Sequence, residues 1–205
     1  MHRRHIDCLK RVRKHVGATD IALTGGLAIE LQLRRLGFRG RSLGDDLDFV
    51  AKSLDAVPPS VTSDFLVVHY HVLQPKFLVM LVDPVSRIRV DIFPDLVGSI
   101  ETAEELHIED CRVNVLRLAA MFAHKVLILE TAASLERTVD PKHYRDALAL
   151  GELIGSRPPD VPKKLMVPDI YSTDVNQYCA KCETNVSTSF RLSPKQEIFD
   201  ILGHV

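Results

Sequence analysis

The sequence has almost no net charge: 26 lysines and arginines stand against 27 aspartates and glutamates, leaving −1. A chain so balanced has no global basic field of the kind that draws nucleic acid. It has no apolar run approaching the ~18 residues that would read as a membrane-spanning helix. The basic opening MHRRHIDCLKRVRKH lacks the apolar stretch and cleavage site of a secretory signal. Its four cysteines are unevenly spaced and do not form a secreted disulfide framework. There is no internal repeat and no low-complexity tract. With 46% hydrophobic and 26% charged residues over 205 positions, the composition is that of a globular chain with a substantial core. These absences lead to an expectation of a cytoplasmic protein that does not enter membranes.

What the chain does have is concentrated between Ile21 and Val50. Ile21–Leu23 is a short apolar strand that runs into Thr24-Gly25-Gly26, and an amphipathic helix follows to about Leu36. A second strand over 46–51 carries Asp46 and Asp48. Alternate residues of a strand point the same way, so Asp46-x-Asp48 brings two carboxylates to one place. Flanked by Leu47, Phe49 and Val50, they lie at the edge of a core, where like charges are costly without a cation. A third carboxylate, Asp91, sits in the strand-like run Arg89-Val90-Asp91-Ile92-Phe93. Clustered carboxylates suit Mg²⁺ or Mn²⁺, which take oxygen ligands and complete their shell with water and substrate phosphates. The Gly25-Gly26 turn exposes backbone N–H groups at a helix start, where a phosphate is favoured.

Elsewhere, residues 2–16 read as an amphipathic helix from Ile6, Leu9, Val12 and Val16. Runs over 65–73, 76–82 and 87–93 read as strands. Asp83-Pro84-Val85-Ser86 is a tight turn joining the last two as an antiparallel hairpin. From Asn114 the pattern turns helical, with a mostly buried helix through Leu129 and a second over 142–154 that has Pro141 in its first turn. Ser156–Pro168, rich in proline, reads as a linker, followed by a short segment with a terminal helix near 193–202. The division expected is a core over 1–110, a helical part over 111–155, and a linker with a small C-terminal segment over 156–205. Lys125 interrupts the apolar run AAMFAHKVLILE and needs a partner or a ligand, and Asp146 in PKHYRDALAL is the partner expected from the next helix.

Gly25-Gly26, Asp46-x-Asp48 and the later Asp91 together resemble the nucleotidyltransferase superfamily of the DNA polymerase β type. With Arg41-Ser42, Lys125 and His143-Tyr144-Arg145-Asp146 added, the chain looks most like the abortive-infection-type nucleotidyltransferases, a family that includes bacterial toxins. The resemblance spans about 21–150. It departs from the family in a longer gap between Gly26 and Asp46, and in Leu43-Gly44-Asp45 standing between Arg41-Ser42 and the first aspartate. It implies an α+β nucleotidyltransferase fold, a mixed sheet flanked by helices with a helical C-terminal part. It also implies transfer of a nucleoside monophosphate from an NTP to an acceptor hydroxyl. Asp46, Asp48 and Asp91 would hold Mg²⁺ or Mn²⁺. Thr24, Gly25, Gly26, Arg41, Ser42 and Lys125 would bind the nucleotide, and Asp146 would position Lys125 or the acceptor. The acceptor stays open between an RNA end such as tRNA, a protein side chain and a small molecule, in a toxin–antitoxin setting with an antitoxin as partner. The basic first helix lends some weight to RNA.

Two readings of other classes compete with this one. A catalytically silent nucleotide-binding module would keep the same fold. A zinc-dependent nucleic-acid binder would be built on Cys179-x-x-Cys182, but one such pair is half a zinc site, so zinc is not expected there.

Overall fold

The computed structural model describes residues 3–38, 43–70 and 78–167. Its elements run α1 (Arg3–His15), β1 (Ile21–Thr24), α2 (Gly25–Arg35), β2 (Asp46–Ala51), β3 (Leu66–Tyr70), β4 (Val79–Asp83), β5 (Ile88–Pro94), β6 (Glu104–Ile108), β7 (Cys111–Val115), α3 (Leu118–Ser134) and α4 (Pro141–Ile154). The architecture is α+β, as the sequence led us to expect. The described residues separate into two compact units, one up to Leu116 and one from Arg117.

The first unit is built on a seven-stranded mixed sheet in the order β3-β4-β5-β2-β1-β7-β6. At its centre β2 pairs parallel to β5 and antiparallel to β1, and β1 pairs parallel to β7. The β4–β5 hairpin is antiparallel, with Asp83 opposite Ile88. Asp83 shapes that turn by accepting from the N–H groups of Val85 and Ser86. Strand alternation divides the sheet into two faces. Leu23, Leu47, Phe49, Leu81, Ile88, Val90 and Ile92 lie on one face, each no more than 1% exposed. Burial of each such side chain contributes about 1.5–3 kcal/mol. Asp83 is on this face too, and Arg11 of α1 reaches it through Nε at 2.8 Å, so α1 covers this side. The apolar stripe of α1 is the expected one, with Ile6, Leu9 and Val12 buried.

The cations of α1 are occupied within the molecule. Arg3 binds Glu109, Arg4 binds Asp45, Lys10 binds Glu109 and Asp110, Arg11 binds Asp83, and Lys14 binds Asp64. Arg13 donates to the carbonyls of Arg112 and Val16. These pairs tie α1 to the rest of the unit, while Arg3 and Lys14 keep most of their side chains in solvent.

Two features differ from the sequence reading. The sheet continues past residue 110, since β6 and β7 form an antiparallel hairpin about Glu109-Asp110 and β7 joins β1. Residues 156–167 are also not a free linker. Val161 and Leu165 are buried with Leu129, Ala132, Val139 and Ala147 in the core of the second unit, and Val139 N–H donates to Leu165 O at 2.8 Å. The prolines there shape an ordered return, which a proline-rich composition alone does not distinguish from a linker. In that unit α3 packs on α4. Only Met121, Leu129 and Ala132 of α3 are buried, fewer than its apolar sequence suggests. Pro141 opens α4, and the Asp140 carboxylate accepts from Lys142 N–H. Among the described residues no helix is long and apolar enough to cross a membrane.

Candidate active site

The second face of the central strands carries the charged groups. Thr24 of β1 lies opposite Asp48 of β2, Asp48 lies opposite Asp91 of β5, and Asp46 lies opposite Arg89. Because directly paired residues share a face, Asp46, Asp48, Asp91, Arg89 and Thr24 all belong to one side. Asp46 and Asp48 are half-buried, while Asp91 is only 5% exposed.

Arg89 is the group the sequence reading passed over. Its Nη2 lies 3.0 Å from Asp91 Oδ2 and 3.6 Å from Asp46 Oδ2, so one guanidinium bridges two of the three carboxylates. The signal was present in Arg89-x-Asp91, two residues of equal strand parity, but the contact to Asp46 depends on how β2 pairs with β5. Among the described residues no group of three histidines, cysteines, aspartates or glutamates is close enough to hold a metal. The donor chemistry still fits Mg²⁺, which asks a protein for one or two carboxylates beside substrate phosphates. Asp46 and Asp48, on one strand face, provide two.

Two glycines fit closely against these carboxylates. Gly25 has φ +64°, and a Cβ there would stand 1.9 Å from Asp48 Oδ2, so conformation and space both require glycine. A Cβ on Gly44 would meet Asp46 Oδ1 at 2.8 Å. The carbonyl of Gly44 bonds to the buried His5 ring at 2.8 Å, and Asp45 turns to Arg4, which removes Asp45 from the carboxylate face. Thr24 is the N-cap of α2 but makes no side-chain cap bond, and the first turn contains no acidic residue. A Cβ at Gly26 would meet nothing within 4 Å. The start of α2 is thus an open N–H-lined end beside Asp48. Arg41 and Ser42 lie outside the described residues, as do Cys179 and Cys182.

The second unit contains the other pair expected from sequence. Lys125 Nζ lies 3.1 Å from Asp146 Oδ2, with both side chains 13% exposed. It also donates to His143 Nδ1 at 3.2 Å. Burial, and then the Lys125 charge, push the His143 imidazole down to about 4, so the ring is neutral and accepts at Nδ1. Ala147 and Leu150, on the same helix, are buried, which turns this side of α4 inward. Cys8 is buried free thiol, and burial followed by the nearby Asp83 charge raise it further from reactivity.

Neither a family model nor a curated protein matches the sequence. Solved structures with some likeness include the crystal structure of ANT(2″)-Ia in complex with adenylyl-2″-tobramycin. It is 13% identical over 89% of this chain and 98% of that one, with a TM-score of 0.47. The solution structure of the antibiotic-resistance factor ANT(2″)-Ia is 15% identical, covering 89% and 94%, at 0.45. An antigenic nucleotidyltransferase-like protein from Paracoccidioides brasiliensis is 17% identical, covering 90% and 84%, at 0.38.

Proposed function

We propose that this chain is a nucleotidyltransferase that moves a nucleoside monophosphate from an NTP to an acceptor hydroxyl and releases pyrophosphate. The observation that carries the reading is the register that sets Asp46, Asp48 and Asp91 on one face beside Gly25 and the open start of α2. Three acids next to an N–H-lined helix end form a poor resting place for free anions, but a good one for phosphate accompanied by a divalent cation.

Asp46 and Asp48 would hold the cation. Bound Mg²⁺ would neutralise the triphosphate and lower the cost of activating the attacking hydroxyl. The N–H groups at the start of α2 orient the phosphate oxygens, and Gly25 and Gly26 leave that approach clear. Thr24, beside Asp48, lines the same side. Asp91 is the carboxylate that takes the proton from the acceptor hydroxyl. Lys125 is assigned to phosphate charge on its chemistry, with Asp146 fixing the ammonium, and Arg41 and Ser42 keep the nucleotide role that the sequence resemblance implies. RNA, protein and small-molecule acceptors all enter the test, the basic first helix lending some weight to RNA.

The test is transfer of label from each α-³²P-NTP to total RNA, to protein and to a panel of polyhydroxylated small molecules, with Mg²⁺ or Mn²⁺. One NTP should label one acceptor class, and Asp48→Asn should cut transfer on the order of 10²–10³-fold or more without loss of fold. Equal transfer by wild type and Asp48→Asn would overturn the reading.

A further inference from the structure

We propose that His143 is a positioning residue for Lys125, fixing the direction in which the ammonium meets a nucleotide phosphate without taking any of its charge. The inference rests on the phosphate role proposed for Lys125 and goes further, because it gives that role a second supporting side chain.

Helical spacing puts both partners of Lys125 on one side of α4. His143, Asp146, Ala147 and Leu150 stand at i, i+3, i+4 and i+7, and Ala147 and Leu150 are buried. From α3, Lys125 Nζ reaches Asp146 Oδ2 at 3.1 Å and His143 Nδ1 at 3.2 Å. An ammonium has three N–H donors and accepts nothing, so Nδ1 is the acceptor and the ring proton sits on Nε2. Two of the three N–H groups therefore have partners among the described residues. The third is the donor assigned to phosphate, and the Lys125 side chain is 13% exposed rather than sealed within the helix pair.

The two partners contribute different things. A lysine head on its four-carbon stem can swing about a single contact, whereas two contacts from one helix define where the last N–H points. Asp146 supplies opposite charge. A second carboxylate in place of His143 would orient the head equally well, but it would repel an incoming phosphate. A neutral imidazole orients without that repulsion. The ring is neutral because burial, followed by the Lys125 charge, holds it down to about 4. An apolar side chain would fill this partly buried position without desolvating a ring nitrogen, so packing alone does not call for histidine.

The experiment reads binding of the four α,β-methylene NTPs with Mg²⁺ to the full chain by calorimetry, and takes the tightest binder as probe. His143→Leu should weaken that binding about tenfold, the scale of one hydrogen bond to a charged group. His143→Asn, whose Oδ1 can accept near the place of Nδ1, should stay within about threefold of wild type. On a Lys125→Met background, His143→Leu should change binding by less than about twofold, since a residue acting through Lys125 has nothing left to act on. If His143→Leu does not fold, His143→Ala gives the same comparison. Wild-type binding by His143→Leu, equal weakening by His143→Leu and His143→Asn, or a loss that persists without Lys125 would reduce His143 to packing and overturn the inference alone. Wild-type affinity in Lys125→Met would remove the phosphate role of Lys125, and this inference with it. No NTP bound by wild type would overturn the nucleotidyltransferase reading as well.

Discussion

Among the described residues, two of the places where a cation meets buried or half-buried partners are built differently. On the sheet face of the first unit, Arg89 bridges Asp91 and Asp46, and Asp48 is the direct register partner of Asp91. In the second unit, Lys125 meets the carboxylate of Asp146 and the imidazole of His143, which is held neutral. Carboxylates gathered on one sheet face suit an added cation, whereas a paired ammonium loses when its partner is removed. The first arrangement is suited to recruiting a ligand and the second to presenting a fixed ammonium.

That contrast can be broken most forcefully at Gly25, where the backbone meets the acidic cluster. Gly25→Ala puts a methyl group into Asp48 and an alanine at φ +64°. It should lower stability by about 3 kcal/mol and weaken Mn²⁺ binding together with it. Urea unfolding and metal titration on the same variant check both, and a fully stable Gly25→Ala would show that the close fit to Asp48 is dispensable.

The Lys125–Asp146 pair should respond next. Lys125→Met leaves Asp146 without its ammonium and should cost about 2 kcal/mol, less than a fully buried pair because both groups retain some solvent. Adding Asp146→Asn should recover at least half of that loss. In transfer assays, activity retained by the double mutant would reduce Lys125 and Asp146 to helix packing. Activity lost in the stable double mutant would uphold the phosphate role.

The smallest effect concerns pH. His143 is held near 4 in the folded protein against an ordinary value of 6.5. Between those values the unfolded chain binds a proton that the folded chain refuses, so stability falls as pH drops from about 6.5 to about 4. The loss should be on the order of 1–2 kcal/mol, and His143→Gln should flatten that limb of the stability profile. Urea midpoints at pH 7.5, 5.5 and 4.5 provide the comparison, and parallel profiles for the two proteins would remove His143 from it.

Sequence made some of this legible for plain reasons. The bounds of β2, the β4–β5 hairpin and the Pro141 start of α4 follow local signals of alternation, turn chemistry and proline at a first helical turn. The Lys125–Asp146 pair was also readable, because a lone lysine in an apolar helical run needs a partner within the helix hairpin. The β6–β7 hairpin was missed although Leu106, Ile108, Cys111, Val113 and Val115 alternate. Its Glu109-Asp110 turn has no glycine or asparagine to announce it, even though Glu109 takes φ +57°. Arg89 was missed for a different reason. Its bond to Asp46 comes from the lateral order of strands distant in sequence, which no local pattern encodes. The linker reading failed because proline density marks restricted backbone, and restricted backbone occurs in packed turns as well as in spacers.

The parallel pairing of β2 with β5 has a kinetic consequence. Between the two strands lie the short helices Leu54–Ala56 and Pro59–Ser63 and the strands β3 and β4, so the chain must close a long loop before the pair forms. Docking brings Asp48 against Asp91, which opposes approach, while Asp46 meets Arg89 one pleat away, which favours it. The attractive rung offsets the repulsive one during the encounter of the strands. Folding of the first unit should therefore quicken with added salt only weakly, because screening removes help and hindrance together.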